Sequence, residues 1–147
     1  MIKRITWKQI LPIWKDQLWP HRKTTIESTS AMNFLSGYSM ENMKSVPTFF
    51  GYFIDNKIIG VNSGHRCADN SYRSRGLWVQ TDHRKQGIGK LLLKATINCA
   101  VDEQCGMIWS YPRFTSWSTY SNLGFNLASS WHISETSNKN AFANLIL

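Results

Sequence analysis

The chain has 147 residues, 42% of them hydrophobic and 13% aromatic; a chain of this length buries roughly 70% of its unfolded surface, and the composition is far from a disordered one. Seventeen Lys and Arg against nine Asp and Glu give a formal net charge of +8, which favours an anionic partner (nucleic acid, membrane surface or phosphorylated small molecule) without choosing among them. Cys67, Cys99 and Cys105 are an odd number without CxxC spacing and the four histidines are scattered, so neither a disulfide framework nor a metal site is expected.

The opening "IKRIT" reads as a strand. Trp7, Ile10, Leu11, Trp14 and Leu18 recur at helical spacing, so residues 7–18 are expected to form an amphipathic helix. Thr6 and Gln9 have the spacing of a capping box, while Pro12 lies too deep for a first turn, so the helix is expected to begin later or to bend there. A polar connection leads to a second helix over residues 31–43, weakened by Gly37. From Thr48 the pattern changes to a hairpin, "TFFGYFI" and "IIGVNSGHRC" around the turn "DNK", followed by a third strand, "YRSRGLWVQ". Ile88, Leu91, Leu92, Ala95 and Cys99 then define one helical face, with Gly106 placed to end the helix. "MIWSY" is a short strand of the kind buried on both faces. "SWSTYSNLGF" reads as a short helix closed by Gly124, and "FNLASSWHI" and "AFANLIL" as a closing strand pair. The result is a single α+β domain over residues 1–147 with a central, mostly antiparallel sheet. The N-terminus lacks the roughly 7–15-residue apolar stretch of a signal peptide. No run approaches the ~18 apolar residues of a membrane span. A cytoplasmic, reducing location is the expectation.

The stretch "HRKQGIGKLLLK", residues 83–94, crowds basic residues and two glycines ahead of a leucine run. A P-loop would need glycine at Arg84 and Ser or Thr at Leu91, and a dinucleotide fingerprint would need glycine at Leu92; both fail. What remains is RxxGxG between a strand and a helix. The first turn of a helix leaves backbone N–H groups unpaired and partially positive. Glycines remove the side chains that would hold an anion away, so a diphosphate is a natural occupant. An ordinary basic helix start is the plainer alternative.

Together, "LWVQTDHRKQGIGKLLL" and "MIWSYPRFTSWSTYSNLGF" resemble the GNAT superfamily of N-acetyltransferases, through Arg84, Gly87 and Gly89 in the first motif and Tyr120, Leu123, Gly124 and Phe125 in the second. The resemblance implies a GNAT-like sheet of 6–7 strands flanked by about four helices. It also implies acetyl-CoA as cosubstrate, no metal, and direct attack by a primary amine on a small molecule or peptide. Leu77, Trp78 and Val79 would pair with the pantetheine arm, with a main-chain N–H near Val79 polarising the thioester carbonyl. Arg84, Lys85, Gln86, Gly87, Ile88, Gly89 and Lys90 would hold the diphosphate. Tyr120 would be catalytic, protonating the leaving thiolate.

The sequence departs from the family pattern it resembles at Arg113, where members often have Asn, and at Ile108, where some members use a Glu as general base. The general base is therefore open, with a water chain or a group from the N-terminal half such as Glu27 or His65 as candidates. Trp7, Trp14 and Trp19 read as packing; Phe34, Tyr38, Phe49 and Phe50 as core or as lining of the acceptor groove. Arg66, Arg73 and Arg75 read either as a solvated sheet face or as contacts to an acidic acceptor. A CoA-binding protein without catalysis is one alternative. A small nucleic-acid-binding module is another, ranked behind because the basic residues form no dense stripe; neither nucleic acid nor membrane is the expected partner. Oligomeric state is open, a homodimer included.

Overall fold

The computed structural model describes residues Met1–Leu147. β1 (Ile2–Ile5) leads into α1 (Trp7–Ile13), whose start is fixed by the capping box: Thr6 Oγ1 accepts from Gln9 N–H, and Gln9 Oε1 accepts from Thr6 N–H. Pro12 does not delay this start. Just beyond it the helix loosens into a π-helical turn over Trp14–Leu18, closed by Trp19 N–H to Trp14 O at 2.7 Å, so the proline's missing donor is absorbed by a change of pitch. Ile10 and Trp14 are fully buried by this segment against Phe49 and Val61.

The helix expected over residues 31–43 is not there. Leu35, Ser36 and Gly37 have positive φ, and only Met40–Lys44 form a 3₁₀ turn. The reason is the fully buried Asn42. Its Nδ2 donates to Ala31 O, Met32 O and Asn33 Oδ1, and its Oδ1 accepts from Ala68 N–H. Side-chain bonding of this kind satisfies the local backbone in place of a helical ladder. The chain thus carries three α-helices where about four were expected.

β2 (Thr48–Ile54) and β3 (Lys57–Arg66) form the expected hairpin, with Asp55 and Asn56 both at positive φ as a two-residue primed turn demands. β4 (Tyr72–Val79) pairs antiparallel with β3. α2 (Ile88–Asp102) crosses to β5 (Met107–Ser110), which pairs with β4 in parallel. α2 buries Ile88, Leu92, Leu93, Thr96, Cys99 and Ala100, while Leu91 is exposed. The helix ends earlier than the glycine at 106 suggested, with Gln104 taking the left-handed conformation. Leu92 and Leu93 are each fully buried, a contribution of about 1.5–3 kcal/mol apiece.

α3 (Trp117–Ser121) is followed by Gly124 at φ +95°. Then come β6 (Asn126–Leu127), β7 (His132–Ile133), β8 (Lys139–Asn140) and β9 (Ala143–Ile146). β7 and β8 make a separate hairpin. The main sheet has the order β1-β2-β3-β4-β5-β9-β6, and β4–β5 is its one parallel pair. Consecutive residues Phe49 and Phe50 serve opposite faces of the sheet, one against α1 and the other against α2. All three cysteines are buried and unpaired. No helix is long and apolar enough to cross a membrane.

Candidate active site

Two departures from regular sheet geometry build the site. The first is a bulge in β4. Ser63 pairs with Arg75 and Val61 with Trp78, so Gly76 and Leu77 together face Asn62. Gly76 takes φ +78°, and a Cβ there would lie 2.3 Å from the Trp14 ring, so no larger residue fits. Trp14 Nε1 donates to Gly76 O at 2.9 Å and pins the bulge from the first helix. A bulge re-aims the residues that follow.

The second is the divergence of β4 from β5. The parallel strands pair only at Tyr72–Ile108 and Arg73–Trp109; from Ser74 onward the edge of β4 has no strand beside it. A cleft of about 1440 Å³ opens there. Of the sequence-predicted site residues, Leu77, Trp78, Val79, Arg84, Lys85, Gly87, Ile88, Gly89, Lys90 and Tyr120 all line it, and Gln86 does not. They approach from β4, the start of α2 and α3.

The N-terminus of α2 is uncapped by any side chain, and its first internal bond is Leu91 N–H to Gly87 O at 3.1 Å. The N–H groups of Ile88, Gly89 and Lys90 therefore have no partner in the protein, and they carry the positive end of a 15-residue helix. Gly87 sits at φ +82° with open space where a Cβ would be. A Cβ on Gly89 would point between Leu77, Val79 and Thr119, at 3.5 Å or more from each. A methyl group at position 89 would thus enter the cleft at ordinary contact distance from the protein. Lys85 and Lys90 flank this seat. Arg84 Nε donates to Val79 O at 2.9 Å, so it ties the end of β4 to the loop.

Tyr120 is 3% exposed. Its ring stands edge-on to Phe125 with centroids 5.4 Å apart, which accounts for the phenylalanine of the second motif. Ser110 Oγ donates to Ser74 O at 2.9 Å across the narrow end of the cleft and lies 3.4 Å from the Tyr120 hydroxyl. At 3.4 Å this contact is longer than an ordinary O–H···O bond and does not hold the phenol proton against a ligand. Burial pushes the Tyr120 hydroxyl up from its ordinary value, so at neutral pH it is a neutral donor.

The rest of the cleft wall holds residues that the motifs did not mark. Arg73 and Arg75 are 7% and 5% exposed, which removes the reading of a solvated face. Arg66 lies apart, outside this cleft, in an ion pair with Glu103. Tyr111 and His132 are hydrogen-bonded, OH to Nε2, and the His132 Nδ1 faces Ser130 O. Arg113 Nη2 reaches the carbonyl of Leu18 and bridges the two banks. Of the four aromatic residues considered for this region only Tyr38 lines the cleft; Phe34 packs on Trp109 and Phe142, while Phe49 and Phe50 are core.

His65 is unsuited to act as a base. It is fully buried, its Nε2 accepts from Ser30 N–H at 3.3 Å, and its Nδ1–H donates to Arg66 O at 3.2 Å. Burial and the neighbouring Arg73 charge lower it to about 3. Glu27 is exposed and does not line the cleft. No group of three or more His, Cys, Asp or Glu could hold a metal ion.

The family model for the acetyltransferase (GNAT) family matches residues 7–125, and the chain belongs to that family. Its fold is also that of solved structures. A GNAT-family acetyltransferase from Staphylococcus aureus Mu50 superimposes with a TM-score of 0.69 at 17% identity, covering 100% of this chain and 98% of that one. An IAA acetyltransferase from Bacillus cereus ATCC 14579 gives 0.71 at 15% identity over 100% and 99%. The paiA N-acetyltransferase of Thermoplasma acidophilum, solved with coenzyme A, gives 0.57 at 19% identity over 69% and 61%. The sequence has no significant match among curated proteins.

Proposed function

We propose that the chain is an N-acetyltransferase that binds acetyl-CoA between β4, α2 and α3 and transfers the acetyl group directly to a primary amine. The observation that carries this reading is the parting of β4 from β5 after Arg73–Trp109, with the bare α2 N-terminus at one end of the gap and Tyr120 inside it. In this assignment the N–H groups of Ile88, Gly89 and Lys90 receive the diphosphate, with Lys85 and Lys90 adding charge. The unpaired edge at Leu77, Trp78 and Val79 takes the pantetheine arm, and a main-chain N–H near Val79 polarises the thioester carbonyl. Arg84 positions that strand end through Val79 O.

The chemistry balances simply. The amine nitrogen bonds to the carbonyl carbon and the C–S bond breaks. The nitrogen loses one proton and the thiolate gains one, from Tyr120. On the other side the Tyr111 oxygen would take the amine proton as its own hydroxyl proton passes to His132 Nε2, leaving His132 protonated with Nδ1–H on Ser130 O. Alignment of the two substrates supplies on the order of 7–11 kcal/mol in favourable systems, so the site needs few reacting side chains. The acceptor is a small molecule or peptide amine. A cytoplasmic location accords with three unpaired cysteines.

Titration with acetyl-CoA, followed by melting temperature and tryptophan fluorescence, tests the binding half. An amine screen that detects released thiol tests the transfer half. Absence of any stabilisation at millimolar CoA overturns the reading.

A further inference from the structure

Arg73 and Arg75 stand two residues apart on β4 and so share one face of the strand. Both line the cleft, and both are more than nine-tenths buried. Neither has a carboxylate partner, since the ion pairs of the chain are Lys44–Glu41 and Arg66–Glu103. Arg75 Nη1 donates to Glu27 O at 2.7 Å, and its guanidinium lies over the rings of Trp14 and Trp19. Arg73 makes no side-chain hydrogen bond; its guanidinium lies over the Trp109 ring at 4.9 Å, and its Nε is buried without a partner. Glu135 is the one carboxylate among the residues lining the cleft, and it is exposed.

Burying a guanidinium is costly unless it is paired, and two side by side repel as well. The fold nevertheless holds two, with donors left over, at the edge of a cavity. Acetyl-CoA seated as described does not meet this demand with its phosphates. Arg73 lies six residues before Val79, roughly 20 Å at ~3.3 Å per residue, and the diphosphate seat is farther still. The acyl end is near instead, because Arg73 sits at the last β4–β5 pair and its charge acts on the Tyr120 hydroxyl.

Resting on the acetyltransferase reading above, we infer that the acceptor is an amine that also carries an oxyanion, a carboxylate or a phosphate, held by Arg73 and Arg75. The guanidinium fork matches either oxyanion in a bidentate fashion. A polycationic amine would face two buried positive charges, with the exposed Glu135 as the one carboxylate on the cleft wall. The bound pair also lowers the proton affinity of a nearby ammonium, which favours the neutral, attacking amine in a site without a carboxylate base.

The test measures thiol release from acetyl-CoA by the full chain with matched acceptors: L-amino acids against their carboxamides, O-phosphoethanolamine against ethanolamine, and spermidine. Oxyanion-bearing amines are expected to win within pairs by at least tenfold in kcat/KM, and the two pair types separate carboxylate from phosphate. Arg73→Gln and Arg75→Gln are expected to raise KM for those amines by about thirtyfold or more with the KM for acetyl-CoA unmoved. Arg73→Lys and Arg75→Lys should recover part of the loss and guard against a folding defect. Amides or spermidine used as well as the acids would overturn the inference, as would Gln variants that keep the preference. Succinyl-CoA is the further control: if it outperforms acetyl-CoA while acids and amides are used equally, the oxyanion belongs to the acyl donor and the acceptor assignment falls. If acetyl-CoA fails to bind at all, the acetyltransferase reading itself falls; binding with transfer to neutral amines removes only the oxyanion.

Discussion

Trp14 Nε1 is bonded to Gly76 O at 2.9 Å, and a methyl group on Gly76 would sit 2.3 Å from the same indole. The bulge that turns Leu77, Trp78 and Val79 toward the cleft is therefore held by a residue of the first helix, 62 positions away. Gly76→Ala should destabilise the fold by about 2 kcal/mol or more, through overpacking and an unfavourable φ. Urea denaturation measures it, and an unchanged midpoint would show that the indole is not a fixed anchor. Trp14→Phe should cost roughly 1–3 kcal/mol for the carbonyl left unpaired.

Gly89 offers the opposite case. Its missing side chain faces cavity, with every neighbour at 3.5 Å or more. Gly89→Val should leave the melting temperature nearly unchanged and weaken CoA binding at least tenfold, as calorimetry would read. Unchanged affinity would remove the diphosphate from this helix start.

Tyr120→Phe deletes a hydroxyl with one 3.4 Å contact, so stability should change by less than about 1.5 kcal/mol. Turnover should fall by about 10²–10⁴ with CoA affinity retained, as expected for loss of a general acid. Equal loss of binding and turnover would make the tyrosine a packing residue.

His65 sets an acid limit. Its folded value of about 3 lies below the 6.5 of the unfolded chain. Between those pH values the unfolded chain binds a proton that the folded chain refuses, so stability falls as pH drops from 6.5 toward 3. The slope attributable to this group approaches about 1.4 kcal/mol per pH unit. The charges facing it are Arg73 and Arg75, both of which oppose protonation. His65→Asn should flatten the pH dependence of the unfolding free energy between pH 4 and 6 by nearly one proton; an identical slope would assign the acid transition elsewhere.

Arg73 is held down to about 10 by burial, so it remains charged at neutral pH without a hydrogen-bonded partner. Arg73→Met, which keeps an unbranched chain over Trp109, should raise the ligand-free unfolding free energy by about 1–4 kcal/mol. A lower melting temperature would mean that the contact with the Trp109 ring outweighs the buried charge.

The parts legible in the sequence were those governed by local rules. Asp55–Asn56 announced its hairpin by turn chemistry, α2 by the spacing of Ile88, Leu92 and Cys99, and the bare helix start by Gly87 and Gly89. Residues 31–43 have a helical pattern but no helix, because Asn42 replaces the helical ladder through bonds to Ala31, Met32 and Ala68, and the last of these is distant in sequence. Arg73 and Arg75 alternate along a strand as solvated residues do. Only the covering rings of Trp14, Trp19 and Trp109 make them buried, and those come from other elements. Gly76 carries no local signal for the same reason, since the indole that forbids a Cβ belongs to another part of the chain.

The burial of Cys67, Cys99 and Cys105 gives the molecule an internal counter. Burial pushes each of these thiols up and keeps it from solvent, so a thiol-reactive dye added to the folded chain would respond to CoA released by the proposed transfer and hardly at all to the protein. In denaturant the same dye gains three sites per chain. One reagent thus reads turnover in buffer and unfolding in urea, and a substitution that slows the reaction can be told apart from one that loosens the fold in the same cuvette.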